Sequence, residues 1–282
     1  IKCLSPKLAE DGDFKVRMHR EARAMGALSG TSATQIFAFA KAPDGTLYIV
    51  MEHLSGRDLE AYLREVTGHG GKVDLGRVIS LLGPIAETLA QAHDLGLVHR
   101  DVKPGNIFVL DTMTRGGVRL LDFGLAKDLN ATALTQEGMI AGSPGYIAPE
   151  IWRGRAREAD RRIDVYSLGV VVYRALAGQV PFDPKQPMDQ FLIQVTRGPR
   201  PSLCAVRKDL PRAIDGWVEK ALAANPDDRF GSISAMWNVL RSIAELPAET
   251  RSEPPSIPWV VEIDDEIEVE VMSLRSAQLG PK

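Results

Sequence analysis

The residues best suited to chemistry lie close together at positions 99–106, in the run His-Arg-Asp-Val-Lys-Pro-Gly-Asn. This run places a carboxylate (Asp101), an ammonium group (Lys103) and a carboxamide (Asn106) within six consecutive positions. A second carboxylate, Asp122, follows in the tripeptide Asp-Phe-Gly. Phosphoryl transfer requires a carboxylate that accepts a hydroxyl proton, a cation for the phosphate and oxygen ligands for magnesium. The residue types and their spacing therefore predict a phosphoryl-transfer site.

The residues around these groups favour their convergence. Pro104 and Gly105 predict a non-helical loop, from which neighbouring side chains can point to one place. Asp122 ends the apolar segment 118–121, where a carboxylate is costly unless it binds a cation or is otherwise paired. Gly124 lets the backbone turn away directly afterwards. A single aspartate in a His-Arg-Asp tripeptide is usually only a turn residue, so the joint set is what indicates a function.

Composition limits the class of protein. The chain has 282 residues, a net charge of −3, 44% hydrophobic and 25% charged residues, which is ordinary for a globular protein with a sizeable core. The weakly acidic balance gives no indication of nucleic-acid binding. Cys3 and Cys204 lack CxxC spacing and are predicted to be free thiols in a reducing compartment. No apolar run approaches the roughly 20 residues of a membrane helix, so we expect no membrane segment within this chain.

Hydrophobic periodicity and turn residues predict the elements that position the site. A strand ends near Lys2, a helix follows from the cap residue Asp13, and Pro84 is expected to bend a long helix capped by Asp74. The segment 125–146 is expected to be a mobile loop. The other predicted strands are 35–40, 46–52, 107–110 and 118–121, and the other predicted helices are 57–66, 74–95, 163–177, 189–196, 213–223 and 232–244.

A small strand-bearing part thus precedes a large helical part, which predicts an α+β fold with two segregated lobes. We place the remainder of the small lobe at residues 1–53 and the large lobe at residues 54–246, with the ligand in the cleft between them. Residues 247–282 form a Pro-rich and then acidic tail, for which a solvated linker is favoured over an extra strand or a partner-binding segment.

Four motifs together resemble those of eukaryotic-type serine/threonine protein kinases, close to the bacterial branch. They are HRDVKPGN at 99–106, DFG at 122–124, APE at 148–150 and DVYSLG at 164–169, and the resemblance covers residues 1 to about 246. It implies a protein-kinase-like two-lobed fold with a truncated small-lobe sheet and a mainly helical large lobe. It also implies transfer of the γ-phosphoryl group of ATP, with Mg²⁺, to serine or threonine of protein substrates. Autophosphorylation in trans is a further possibility, and a cytoplasmic location is expected, alone or as part of a larger membrane-anchored protein.

The resemblance implies the roles of the catalytic residues. Asp101 matches the catalytic base and Lys103 the lysine that contacts the phosphate. Asn106 and Asp122 match the magnesium ligands. Lys2 matches the strand lysine that holds the α- and β-phosphates.

Further nucleotide contacts are implied in the same way. Glu21 matches the ion-pair partner of the strand lysine. Glu52 and Leu54 match the hinge whose backbone meets adenine, and Asp58 falls where the family often has an acid near the ribose. Ile107 and Phe108 are expected below the adenine ring.

Three residues match structural positions of the family, and two match regulatory ones. Glu150 and Arg229 are implied to form a buried ion pair, and Asp164 to brace the catalytic loop. Arg100 is a ready site for a loop phosphate, and Thr135 is the best phosphate acceptor.

One part of the family pattern is absent. The Gly-rich strand-turn-strand that covers the ATP phosphates should precede Lys2, and the glycines at 68–71 lie after the hinge and cannot replace it. We therefore expect this chain to be a fragment or a trimmed product with impaired nucleotide binding. This leaves open a pseudokinase or docking module as the alternative. A small-molecule phosphotransferase on the same fold is disfavoured because such enzymes usually lack the Ala-Pro-Glu segment.

Overall fold

The structure is a computed structural model, and it describes residues 1–3, 26–43, 46–68, 72–112, 117–123 and 143–245, with the side chain of Phe39 excepted. The contacts divide the chain after Glu249, and all described residues belong to the unit Ile1–Glu249. The predicted tail at residues 247–282 lies outside the described residues. The same holds for most of the helix predicted after Asp13 and most of the predicted mobile loop. The predicted boundary between lobes at residues 53 and 54 stays a prediction.

The first sheet is antiparallel and carries the N-terminal lysine. Its strands are β1 (Lys2–Cys3), β2 (Ile36–Lys41) and β3 (Leu47–Met51), in the order β1-β3-β2. Lys2 pairs with Ile49, which is almost completely buried. The strands predicted at 35–40 and 46–52 are confirmed to within about one residue at each end.

The second sheet is also antiparallel, and its strand β5 directly follows the predicted catalytic loop at residues 99–106. Its strands are β4 (Gly56–Asp58), β5 (Ile107–Leu110) and β6 (Val118–Leu120), in the order β4-β5-β6. The predicted β5–β6 hairpin is confirmed, with Ile107 opposite Leu120.

The helix predicted from Arg57 is wrong at its start. Gly56, Arg57 and Asp58 instead form β4 against Leu110–Phe108, and the helix begins at Leu59. The strand approaches β5 so closely that a Cβ on Gly56, whose φ is 143°, would collide with the carbonyl oxygen of Val109. Asp58 then accepts a hydrogen bond from the main-chain N–H of Ala61 (2.7 Å) and so caps the helix.

Single-turn 3-10 helices lie at Pro104–Asn106, Pro144–Tyr146 and Pro226–Asp228, so the loop predicted to be non-helical at Pro104 and Gly105 contains one such turn. The other described elements are α-helices. They are α1 (Leu59–Gly68), α2 (Leu75–Asp94), α3 (Pro149–Trp152), α4 (Arg162–Ala177), α5 (Met188–Arg197), α6 (Leu203–Val206), α7 (Ala213–Ala221) and α8 (Ile233–Ala244). Asp74 caps α2 as predicted, by accepting from the N–H of Arg77 (2.7 Å). The helix continues without a break through Pro84, and the bend expected there stays a prediction.

Helix α4 lies at the centre of the large hydrophobic core, because nearly all of its side chains are buried. A Cβ on Gly169 would lie 3.1 Å from a methyl of Leu222 and 3.2 Å from the Cβ of Ala221, so the glycine permits α4 and α7 to pack closely. No helix in the described parts of the chain is long and apolar enough to cross a membrane. The core thus fixes the start of α4, which carries Asp164, beneath the catalytic loop.

Candidate active site

The carboxylate of Asp101 is held by its neighbours in the loop. Its Oδ2 accepts a hydrogen bond from Nδ2 of Asn106 (2.8 Å) and lies 3.0 Å from Nζ of Lys103. Nδ2 of Asn106 also donates to the main-chain oxygen of Asp101 (2.8 Å). The side chains of Asp101 and Lys103 are each about one-fifth exposed, at 19% and 21%. The structure therefore brings these three predicted residues together, with the carboxylate fixed but still accessible.

The amide orientation of Asn106 bears on metal binding. Both hydrogens of its side-chain amide point to Asp101, so its amide oxygen is the atom left to face a cation. Oxygen from an amide or a carboxylate suits magnesium. The donor set at Asn106 therefore fits the predicted role.

Asp122 lies directly beside this loop, because both of its neighbours contact it. The N–H of Leu121 donates to the main-chain oxygen of Asn106 (2.8 Å), and the ring of Phe123 packs against His99 with centroids 4.8 Å apart. Asp122 itself has a left-handed backbone, with φ 50°. Its Oδ1 lies 2.6 Å from Nζ of Lys2, and both side chains are about half exposed. The two carboxylates, far apart in sequence, thus lie on adjacent loops.

The neutral ring of His99 is hydrogen-bonded both to the loop of Asp101 and to the segment that leads to Asp122. Burial lowers the pKa of His99 below its usual value of 6.5, and this effect exceeds the opposing influence of Asp164. Nδ1 accepts from the N–H of Asp101 (3.2 Å), and Nε2 donates to the carbonyl oxygen of Leu121 (2.8 Å). One neutral tautomer satisfies both bonds, so His99 couples the loop of Asp101 to the strand that leads to Asp122.

The fully buried carboxylate of Asp164 holds the backbone of the loop. It accepts hydrogen bonds from the N–H groups of His99 and Arg100, each at 2.8 Å. Arg100 has a left-handed backbone (φ 66°), and its bond to Asp164 stabilises that conformation. His93 on α2 contacts the same carboxylate through Nε2 (2.8 Å). Sequence reasoning missed His93, although its position four residues after Leu89 places it on the buried face of α2.

Glu150 and Arg229 form a buried, two-point ion pair. Nη1 and Nη2 of Arg229 donate to the two carboxylate oxygens of Glu150 at 2.8 Å and 2.6 Å. Nε of Arg229 donates to the carbonyl oxygen of Ala223 (2.8 Å), and its guanidinium lies 5.0 Å from the ring centroid of Tyr166. Burial raises the pKa of Tyr166 to about 12, so this ring stays neutral. The predicted partners are therefore in contact, with Glu150 in α3 shortly after the predicted mobile loop 125–146.

The hinge residues lie between β3 and β4. The N–H of Glu52 donates to the carbonyl oxygen of Gln35 (2.9 Å), and Oε1 of Glu52 accepts from the N–H of Gln35 (2.7 Å). Leu54 is half-buried in the connecting segment. Asp58 is engaged as the cap of α1, while its predicted position near a ribose stays a prediction.

Ile107 on β5 is buried and Phe108 is half-buried, and their predicted position below an adenine ring stays a prediction. Phe108 pairs with Arg119 on β6, a buried charge that sequence reasoning also missed. The available signal was a charged residue inside an otherwise apolar strand. Glu21 and Thr135 lie outside the described residues, and Arg100 is exposed.

A mixed α+β domain in which an aspartate, a lysine and an asparagine cluster beside a second aspartate is similar in fold to the protein kinases. The model of the family "Protein kinase domain" matches residues 1–239. The chain belongs to the protein kinase family, and its relatives place it in the bacterial serine/threonine branch.

Among the most similar curated proteins is the probable serine/threonine-protein kinase PknB of Corynebacterium glutamicum, which is 36% identical over 84% of this chain and 36% of that protein. The serine/threonine-protein kinase PknL of Mycobacterium tuberculosis is 37% identical over 87% of this chain and 59% of that protein. The solved kinase domain of M. tuberculosis PknI is similar in structure, with a TM-score of 0.65, 29% identity, and coverage of 87% of this chain and 84% of that one. The chain spans 36%, 46% and 40% of the length of three of the curated relatives that it matches.

Proposed function

We propose that this protein is a serine/threonine protein kinase that transfers the γ-phosphoryl group of ATP to protein substrates. The observation that carries the proposal is the arrangement around Asp101, whose accessible carboxylate is aligned by Asn106 and lies 3.0 Å from the ammonium group of Lys103. A fixed carboxylate beside a cation suits general-base catalysis near a phosphate. The names of the relatives, all serine/threonine-protein kinases, support the same function.

In this proposal each side chain has one task. Asp101 accepts the proton of the serine or threonine hydroxyl, while Asn106 and His99 fix its orientation. Lys103 neutralises negative charge that develops during transfer. Lys2, the cation next to Asp122, binds phosphate oxygens of the nucleotide.

The residues present fit Mg²⁺ and ATP. The amide oxygen of Asn106 and the half-exposed carboxylate of Asp122 would hold the metal, and Mg²⁺ commonly takes only one or two carboxylates beside phosphate oxygens and water. When bound, MgATP supplies the phosphoryl group, and its magnesium ion offsets the negative charge of the phosphates. Both side chains of the Lys2–Asp122 ion pair are about half exposed, and such pairs contribute little to the free energy of unfolding. Protein stability alone therefore does not explain why these two residues lie together.

Replacing Asp122 with alanine tests whether this is a nucleotide site that depends on the metal. The unmutated protein, expressed with any coding sequence that flanks residues 1–282 in its gene, should be stabilised by MgATP. At 100 times the Kd, the gain is about 2.7 kcal/mol, or several degrees in Tm. The Asp122→Ala variant should lose that gain in a thermal-shift measurement.

The matched control for this measurement is Asp227→Ala, which removes another exposed aspartate from an arginine ion pair (2.8 Å to Arg162). This variant should respond to MgATP like the parent. A parent that MgATP fails to stabilise would support the docking module instead. An Asp122→Ala variant with the full stabilisation would remove Asp122 from the metal site.

We also propose that the kinase modifies itself in trans at Thr135 and that Arg100 receives the phosphate. Arg100 supports this because its main chain is fixed by Asp164, while the residue is exposed and directly precedes Asp101 in the sequence. After incubation with MgATP, peptide mapping should find phosphate on Thr135. An autophosphorylated sample with no phosphate between residues 130 and 143 would refute this assignment.

A further inference from the structure

Arg119 is a buried arginine next to the hinge residue Glu52, and it has no role in the phosphoryl transfer proposed for this site. Arg119 is at the centre of β6, three residues before Asp122, and is only 2% exposed. A guanidinium stays charged at every pH that proteins tolerate. Its burial is therefore costly unless nearby groups compensate the charge.

The compensating charge comes from the hinge. Nε of Arg119 lies 3.3 Å from Oε1 of Glu52, whose side chain is 14% exposed. Nη1 of Arg119 donates to the carbonyl oxygen of Val118 (2.7 Å), which fixes the direction of the guanidinium along its own strand. This contact connects Glu52 in the hinge to β6, the strand that leads to the predicted metal ligand Asp122.

The same carboxylate oxygen of Glu52 also holds β2 in place. It accepts from the N–H of Gln35 (2.7 Å), and the N–H of Glu52 donates back to the carbonyl oxygen of Gln35 (2.9 Å). These two bonds fix both the main chain and the side chain of Glu52. Arg119 places a positive charge 3.3 Å from this carboxylate, which favours its burial in this position.

Main-chain bonds next to Arg119 reinforce the connection. The N–H and the hydroxyl of Thr34 both donate to the carbonyl oxygen of Leu120 at 3.0 Å. The N–H of Leu120 donates to the carbonyl oxygen of Ser32 (2.7 Å). The start of β2, the hinge and β6 therefore form one buried unit, with Arg119 and Glu52 as its ion pair.

We propose that Arg119 is a positioning residue for nucleotide binding, acting through Glu52 on the main chain of the hinge. The proposal rests on the kinase function proposed above, in which the backbone at Glu52 and Leu54 meets adenine. Loss of the arginine removes a positive charge next to a mostly buried carboxylate, which favours a turn of Glu52 towards solvent and loosens the orientation of the hinge main chain. Arg119 should then affect nucleotide affinity more than the phosphoryl-transfer step.

The test compares two buried arginines in the natural protein. Arg119→Met should raise the Kd for MgADP, measured by titration calorimetry, by about tenfold. It should also raise KM for ATP and leave kcat nearly unchanged. The matched control is Arg207→Met, because Arg207 is 3% exposed and bonded to the carbonyl oxygens of Val73 and Leu176 and to Asp209. This control should lower stability to a similar degree and leave the Kd for MgADP unchanged.

Two more variants keep the test decisive if Arg119→Met folds poorly. Arg119→Lys retains a cation near Glu52 and should restore most of the affinity. Glu52→Gln keeps a side-chain oxygen that accepts from the N–H of Gln35 but removes the negative charge, and it should weaken MgADP binding. Adding Arg119→Met to Glu52→Gln should cause no further loss of MgADP affinity. Unchanged MgADP affinity in both Arg119→Met and Glu52→Gln would overturn the positioning role alone. A parent protein that binds no MgADP would overturn the kinase proposal and this one with it.

Discussion

Replacing Asp101 with asparagine is expected to lower phosphoryl transfer by about 10²- to 10⁴-fold, the usual contribution of a general base. Asparagine has nearly the same shape and retains an oxygen that can accept from Nδ2 of Asn106, so the loop should keep its structure. It lacks the negative charge that attracts a proton and pairs with Lys103. The loss should therefore appear in kcat, with the Kd for MgADP changed by less than about threefold.

The measurement is the initial rate of label transfer from γ-labelled ATP, together with calorimetric titration of MgADP. Asp94→Asn is the matched control, because Asp94 is an exposed aspartate at the last position of α2. That variant should label substrate at the parent rate. If Asp101→Asn does the same, Asp101 is not the catalytic base.

Replacing Arg229 with methionine is expected to lower the free energy of unfolding by about 3–5 kcal/mol. The substitution leaves the buried carboxylate of Glu150 without both of its short hydrogen bonds, while the cost of burying it remains. Urea unfolding of the parent and the variant measures the difference. Since Glu150 lies in α3, four residues after the predicted mobile loop 125–146, we expect turnover to fall as well.

A surface pair and a double variant provide the comparison. Arg241 and Glu87 lie 3.4 Å apart with side chains 50% and 64% exposed, so Arg241→Gln should change the unfolding free energy by less than about 1 kcal/mol. Glu150→Gln combined with Arg229→Met should be less destabilised than the sum of the single variants, because the isolated charge is gone. Additive losses would show that the two residues act independently of each other.

The elements with strong local signals could be predicted from the sequence. The cap at Asp74 and the apolar stripe that follows it define α2, and two short apolar runs define the β5–β6 hairpin. The strand at Gly56–Asp58 could not be predicted, because it depends on backbone pairing with Val109 and its neighbours, which lie some fifty positions later in the chain. Tertiary pairing decided this segment, whereas its sequence favoured a helix from Arg57.

The residues of the candidate site also divide into those that a local sequence pattern predicts and those whose position depends on tertiary packing. Asp101, Lys103 and Asn106 are close in sequence and belong to a specific motif, so their proximity could be predicted. The contact of Glu150 with Arg229 was implied only by the resemblance to a family. For Lys2 the resemblance implied Glu21 as the partner, and the contact with Asp122 was not predicted. The positions of His93 and Arg119 beside Asp164 and Glu52 depend on the packing of separate elements, and no local pattern encodes such contacts.

The most direct test of the central claim is transfer of labelled phosphate from γ-labelled MgATP to serine- or threonine-containing proteins and peptides. The account predicts acid-stable phosphoserine or phosphothreonine that requires magnesium and disappears in Asp101→Asn. A protein that binds MgATP tightly but transfers no phosphate to itself or to any acceptor would contradict the account.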